Sequence, residues 1–428
     1  MNILLIPEII SYSYLAMGIA LLIDGPFETI IEKIQEKYKI SPVIAAATLV
    51  AISSSAPEFA TAILDRFFFH NNVGEGTIFG SGIFNILIII GAVFAAAPKI
   101  FEINLKIAIR DCCFYLLSII LYYFIMNSNE KTVWQSFSLI LIYGIYFAKL
   151  YIDNNNEMMS KLSELTLHSK PLTGHEFADQ IKDEKDEFEV LDVEPKRPTI
   201  INPVQNNEHI IDVNSPRPNE TESKEDENDE AENKEDESDE ESYCKTIINS
   251  LSCPWNLIFD NTIIKLVNIN YLWCSFAVTV IYIILITFGL TYLCVEIGHA
   301  FGISPTVSGL LINAPTTSLP DVFASIVLAK KTQVDGAIAN AVASNIFDFL
   351  ICLPFPDFIY LLFNGNEKNH LDSSSNRGFV SILISVIIYM GLLVLYEYRD
   401  RSLDVKNVFS IILIALYIIY CIVEIIYH

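Results

Sequence analysis

Apolar residues along the chain gather into ten long runs, near 8–27, 42–64, 76–97, 107–126, 133–152, 272–297, 305–329, 337–362, 378–396 and 407–426. Each is close to the roughly 20 residues that an α-helix needs to cross about 30 Å of hydrocarbon. The pattern predicts an all-α membrane protein with about ten transmembrane helices, five on either side of a long polar connection. No Lys or Arg precedes the first run, so a membrane helix is expected there rather than a cleavable signal peptide.

Composition sharpens this reading. Hydrophobic residues make up 52% of the 428 residues and charged ones 18%, with a mean hydropathy of +0.42, which excludes a soluble enzyme. The net charge of −24 is concentrated in one place: residues 153–250 hold 28 Asp and Glu against 10 Lys and Arg, leaving only −6 for the rest of the chain. A membrane body joined by an acidic connection is no partner for nucleic acid. Glu220 to Glu241 is nearly free of apolar side chains, so this connection cannot bury a core and is expected to be a disordered tether. Connections 1–2, 3–4, 7–8 and 9–10 carry eleven Lys and Arg and the alternate short set carries four. The basic set is expected to be cytoplasmic, which places the long 5–6 connection in the cytoplasm and both termini on the extracellular or lumenal side. The eight cysteines show no paired spacing, so neither a disulfide framework nor a zinc site is expected.

Internal symmetry comes next. A single offset of 263 residues maps Ser41-Pro42 onto Ser304-Pro305, Ser55 onto Ser318, Pro57-Glu58 onto Pro320-Asp321, and Ser81-x-Ile83-Phe84-Asn85 onto Ser344-x-Ile346-Phe347-Asp348, without a gap. Five spans separate the copies, an odd number, so the second repeat is inverted relative to the first. Inverted repeats with a site between them are the architecture of alternating-access transporters.

The repeats carry the chemistry. Ser53-Ser54-Ser55-Ala56-Pro57-Glu58 interrupts the second apolar run and Thr316-Thr317-Ser318-Leu319-Pro320-Asp321 the seventh. A carboxylate at membrane depth is costly and marks an ion pathway. Pro57 and Pro320 lack an N–H, which frees carbonyls one turn earlier for a cation. Carboxylate, hydroxyl and carbonyl are hard oxygen ligands suited to calcium and sodium. Ser81 and Asn85 share one helix face at a spacing of four, as do Ser344 and Asp348, with Asn340 one turn before Ser344. Together they predict a central site in which Glu58, Asp321 and Asp348 supply charge and Asn85 an amide oxygen. Hydroxyls in membrane helices also serve packing, so Ser81 and Ser344 carry less weight than the acids. Asp24 is expected at the interface. Asp65, Glu75 and Asp335, near helix ends, and the scattered histidines are assigned no site, and no phosphate-binding loop is present.

At this point the sequence resembles the cation/calcium exchanger superfamily, and within it the potassium-dependent sodium/calcium exchangers. Ser54-Ser55-Ala56-Pro57-Glu58 followed by Gly76-Thr77-Ile78-x-Gly80-Ser81-x-x-Phe84-Asn85 is similar to the family's first repeat. Thr317-Ser318-x-Pro320-Asp321 with Ser344-Asn345-Ile346-Phe347-Asp348 is similar to its second. The resemblance implies that Glu58 and Asp321 carry calcium and sodium, that Ser54, Ser55, Thr317 and Ser318 assist, and that Asp348 confers potassium dependence. The chain departs from the family pattern at Ser53 and Thr316, where glycine is usual, at Leu311, where a threonine is usual, and at Asn313 and Pro315. Loss of glycine restricts the backbone at the break.

The expectation is an antiporter exchanging calcium, together with potassium, for sodium by alternating access, without a resident cofactor. Its organisation is a first membrane half at 1–152 with repeat core 41–91, an acidic loop at 153–255, and a second half at 256–428 with repeat core 304–354. The plasma membrane is the expected location, with an organelle membrane as the alternative. Rival readings are a proton- or magnesium-coupled exchanger on the same fold, a cation channel, and a calcium sensor that works through the acidic loop.

Overall fold

A computed structural model describes residues 5–38, 51–98, 101, 103–168, 248–268, 271–330, 334–369, 373–398 and 403–427. Of the disordered acidic loop expected at 153–255, residues 169–247 lie outside these residues, as does the start of the second span at 42–50, whereas the ends of that loop, 153–168 and 248–255, are helical. The chain divides into a membrane body, Met1–Glu157 with Pro254–His428, and a second unit, Met158–Cys253.

The described elements are almost all helical. They are α1 (Leu5–Tyr38), α2 (51–69), α3 (Val73–Ala96), α4 (Leu105–Met126), α5 (Val133–His168), α6 (248–268), α7 (Leu272–Phe301), α8 (Pro305–Lys330), α9 (Val334–Asn364), α10 (Ser373–Tyr398) and α11 (Leu403–Ile426). Nine helices among the described residues are long and apolar enough to cross a membrane, and they coincide with nine of the ten apolar runs. The remaining run ends in α2. A two-residue antiparallel ladder, Glu130 opposite Lys368 and Lys131 opposite Glu367, joins the α4–α5 connection to the α9–α10 connection.

The protein is built from two inverted five-helix repeats, and the offset of 263 holds in the backbone as well as in the sequence. It carries α1 onto α7, α2 onto α8, α3 onto α9, α4 onto α10 and α5 onto α11. It also carries the π-type turn Asn85–Ile89 in α3 onto the π-type turn Asp348–Cys352 in α9. In the latter, Leu353 N–H donates to the Asp348 carbonyl at 3.0 Å, five residues back. Such turns rotate the following helix face and occur often at functional sites.

Lipid tails are as apolar as leucine, so helices in a membrane associate through close packing and polar contacts rather than hydrophobic exclusion. The contact between repeats uses both. Gly76 and Gly80 of α3 lie directly against the backbone carbonyls of Thr306 and Leu310 in α8, and Gly309 lies against the Val73 carbonyl. A side chain at any of these positions would occupy the space of a carbonyl oxygen. The far end of α3 is closed by Lys406, whose ammonium donates to the carbonyls of Ala95 and Ala97 and completes a helix C-terminus with positive charge.

Among the described residues the buried apolar side chains form two separate clusters. One gathers α3, α4, α9, α10 and α11 around Phe79, Tyr122, Phe349 and Tyr389. The other gathers α1, α6 and α7 around Leu22, Phe27, Phe259 and Leu290. Helix α6 is not announced by the apolar runs. Its Trp255, Phe259, Ile263 and Val267 recur every four residues on one face, and Trp255 packs against Gly18 and the Tyr14 ring of α1. The polar stretches of α2 and α8 lie along the seam between the two clusters.

Candidate cation-binding site

Helix α2 positions Glu58. The helix breaks at Ser55, whose φ and ψ of −94° and 13° leave the α region, and Pro57 restarts it. Proline at the first turn needs no N–H partner there, so the break and the restart both follow from the local sequence. The second repeat differs from expectation. Ala314–Lys330 runs as continuous helix through Thr316 and Pro320, and the irregular turn lies one turn earlier, at Gly309–Asn313. Thr316 and Thr317 donate back to the carbonyls of Ile312 and Ala314 at 2.8 and 3.1 Å. Both acceptors belong to the same helix, so the two hydroxyls follow its backbone and do not replace the N–H that Pro320 lacks.

The two repeats meet at a serine relay. Ser81 Oγ and Ser318 Oγ are 2.8 Å apart, and Ser318 Oγ donates to Glu58 Oε1 at 3.4 Å. With the Ser318 proton on Glu58, Ser81 is the donor in the first pair. Thr317 sits beside the same carboxylate. Glu58 is 2% exposed, and its second oxygen, Oε2, has no protein partner. Asp348, 1% exposed, lies close to Ser55 and one turn before Cys352, and its Oδ1 is unpartnered. Asn85 donates from Nδ2 to Asn345 Oδ1 at 2.8 Å, which leaves its own Oδ1 unpartnered and buried.

Glu58 acts electrostatically on both Asp321 and Asp348, so the three acids share one neighbourhood. Asp321 is half-buried, unlike its symmetry mate Glu58. Asp24 of α1, expected at the interface, is exposed and lies within electrostatic reach of Asp321. Ser54 is half-buried near the break. Ser344, buried like Ser81, donates to the Ala341 carbonyl at 3.2 Å, so the two repeats differ in the partner of this serine. Among the described residues no three His, Cys, Asp or Glu side chains converge as a metal cage. The arrangement is a mixed set of carboxylates, hydroxyls and amides.

Sequence reasoning missed two groups. Asn345 orients Asn85 from the facing helix; its spacing of three from Asp348 was the available signal. Asn313 bonds Thr77 of α3 through Nδ2 at 3.0 Å and accepts from Tyr12 of α1 at 3.4 Å. Asn313 was noted only as a departure from the family pattern, and the contact with Tyr12, 301 residues away, has no signature in the chain.

Above the site, on the face bearing the α2–α3, α4–α5 and α9–α10 connections, lies a pocket of about 200 Å³ lined by Ala62, Asp65, Glu75, Tyr122, Leu353 and Asp357 among others. Ala62 follows Glu58 by one turn, so the pocket stands over the acids. It is spanned by ion pairs between the repeats. Asp357 holds Arg66 at 3.1 Å and Lys131 at 2.7 Å, and Arg66 also pairs with Glu367 and stacks 4.0 Å from the Tyr360 ring centre.

Comparison with known proteins gives one answer at the level of family. Residues 10–151 and 271–426 match the family described as sodium/calcium exchanger protein. Among curated proteins, sodium/potassium/calcium exchanger 1 of Gallus gallus is 25% identical, with 98% of this chain and 78% of the relative aligned. Sodium/potassium/calcium exchanger 5 of Homo sapiens is 29% identical over 93% of this chain and 79% of the relative. Among solved structures, native YfkE superposes with a TM-score of 0.55 at 13% identity, covering 97% of this chain and 92% of that one. This last likeness concerns the fold alone.

Proposed function

Since the chain belongs to the sodium/calcium exchanger family, and is thus a membrane ion exchanger rather than an enzyme, we propose that it exchanges calcium together with potassium for sodium by alternating access. The observation that carries this reading is the set of buried, unpartnered oxygens at the junction of the repeats: Glu58 Oε2, Asp348 Oδ1 and Asn85 Oδ1. A buried acceptor without a donor is costly, and a dehydrated cation is the partner that satisfies several at once. Hydroxyls of Ser54, Ser55, Ser81, Thr317 and Ser318 supply neutral oxygens near the acids, as calcium and sodium require.

Charge balance supports potassium as a second cargo. Three ionised acids exceed the charge of one calcium, and an uncompensated buried charge is expensive; a monovalent cation beside calcium restores neutrality. The curated relatives named above are sodium/potassium/calcium exchangers, in line with that cargo. Alternating access draws support from the seam between the two apolar clusters and from the unequal exposure of the paired acids. Glu58 lies beneath the ion-paired face, whereas Asp321 is half-buried beside Asp24. The acidic loop on the cytoplasmic side and the plasma membrane as location belong to the same reading.

The deciding experiment is calcium flux in liposomes containing purified protein, with sodium, potassium and protons varied singly. Sodium-driven calcium uptake that persists with a proton uncoupler supports the proposal. Uptake that needs a proton gradient replaces it with a proton-coupled exchanger. Deleting residues 160–240 leaves exchange largely intact on this reading and abolishes activity if the acidic segment is a working sensor.

A further inference from the structure

Repeat symmetry is broken at two positions of the same turn. The π-type turn of α3 carries Asn85 and Ile89, and its counterpart in α9 carries Asp348 and Cys352. Each pair is four apart and each member is buried. The second repeat thus sets a thiol where the first has an aliphatic side chain, and the thiol lies beside the acid: Cys352, fully buried and in no disulfide, follows Asp348 by four residues in one π-type turn and is within electrostatic reach of Asp348 and Glu58. Two neighbouring oxygens, Asp348 Oδ1 and Glu58 Oε2, are buried and have no partner. A sulfur therefore borders a set of oxygens that is itself open to a cation.

We propose that Cys352 gives the cation site one soft ligand, so that a thiophilic divalent cation of calcium-like size, such as cadmium, binds there through the Cys352 sulfur and the Asp348 carboxylate. The inference rests on the cation site of the preceding section. Carboxylate and hydroxyl oxygens accept hard cations, and thiolate selects the soft ones. Cadmium satisfies both halves of such a set. The thiol proton leaves to solvent as the metal binds, and Ser55 lies close by with a neutral hydroxyl oxygen. The sulfur forms one edge of the cation site and not a separate cage, consistent with the lack of a three-residue His, Cys, Asp or Glu cluster among the described residues. A cation held by sulfur as well as oxygen leaves slowly, so cadmium acts as a blocker more than as a cargo.

The test uses full-length protein. Cys352→Ser keeps a small polar side chain beside Asp348 and replaces sulfur by oxygen; Cys352→Ala serves if the serine variant fails to fold. Cadmium inhibition of calcium flux in liposomes is measured for each, divided by that protein's own half-saturating calcium, with strontium competition as the hard-cation control. Loss of the sulfur raises the ratio by about 10- to 100-fold, the usual cost of removing a group that supports a metal site, and leaves the strontium ratio within about twofold. In detergent, the ultraviolet sulfur-to-cadmium charge-transfer band of the wild type weakens in the variant. An unchanged cadmium ratio overturns the proposal. If the wild type shows no sodium-driven calcium flux, the exchange reading fails instead, and the absorption band alone decides the sulfur ligand: a band of equal strength in Cys352→Ser rejects it.

Discussion

The two acids that follow proline sit in unequal surroundings, although the sequence presents them as equals. Glu58 is enclosed and receives the Ser81–Ser318 relay, whereas Asp321 is half-buried and senses Asp24. Both are needed if a divalent ion is to rest between the repeats, because an amide keeps the shape of the site and removes its charge. Glu58→Gln and Asp321→Asn are each expected to reduce sodium-driven calcium flux to background while the protein still reaches the membrane; near-normal flux in either would remove that acid from the site. On the proposed reading Asp348 has a different role. With Asn at this position two acids remain, and calcium alone balances them, so Asp348→Asn is expected to make calcium flux independent of potassium. The measurement is flux against external potassium for wild type and variant, and a wild type indifferent to potassium would rule out Asp348 as the potassium determinant.

Among the helices, α3 carries the greatest constraint. It packs on α2, α8, α9, α10 and α11, and its approach to α8 depends on Gly76 and Gly80 lying against carbonyl oxygens. Gly76→Ala drives a methyl group into the backbone of Thr306, which cannot move without shifting α8 and the Ser318 relay. Gly144 of α5 has open space around it, and alanine in a helix is favoured over glycine by up to about 1 kcal/mol. Gly76→Ala is therefore expected to lower the melting temperature in detergent and abolish flux, and Gly144→Ala to leave both unchanged or slightly raise the melting temperature. Equal behaviour of the two would show that the α3–α8 contact is not tight.

At the level of the whole molecule, the two repeats are fastened on one face by charge. Asp357, 6% exposed, holds Lys131, 7% exposed, and Arg66, so a single carboxylate from the second repeat anchors two cations of the first. Removing one partner of a buried pair strands the other, at about 3–5 kcal/mol. Glu367 has a side chain 46% exposed, and an exposed pair contributes about 0–1 kcal/mol. Asp357→Asn is expected to destabilise the protein strongly and Glu367→Gln hardly at all, read as thermal unfolding in detergent; similar shifts would show that the Asp357 cluster is solvated. In an alternating-access cycle these pairs have to part when this face opens, so an Asp357→Asn protein that does fold is expected to favour the conformation open on that side.

The sequence by itself determined the membrane class, nine of the spans, the inverted repeat and the burial of Glu58 and Asp348. Each rests on a local or periodic property: a run of about 20 apolar residues has one stable home, and a carboxylate within such a run has few uses. The chain could not show that the irregular turn of α8 falls at Gly309–Asn313 rather than at Pro320, because a packed membrane helix tolerates a proline where its surroundings support it. Nor could it show that Ser344 bonds its own helix while Ser81 bonds Ser318 across the repeats, since both have the same helical spacing from their partners. The Asn85–Asn345 pair, the Tyr12–Asn313–Thr77 contact and the Asp357 cluster were decided by tertiary structure. These contacts join residues 226 to 301 positions apart, and all depend on how the two repeats pack, which helical periodicity leaves unspecified.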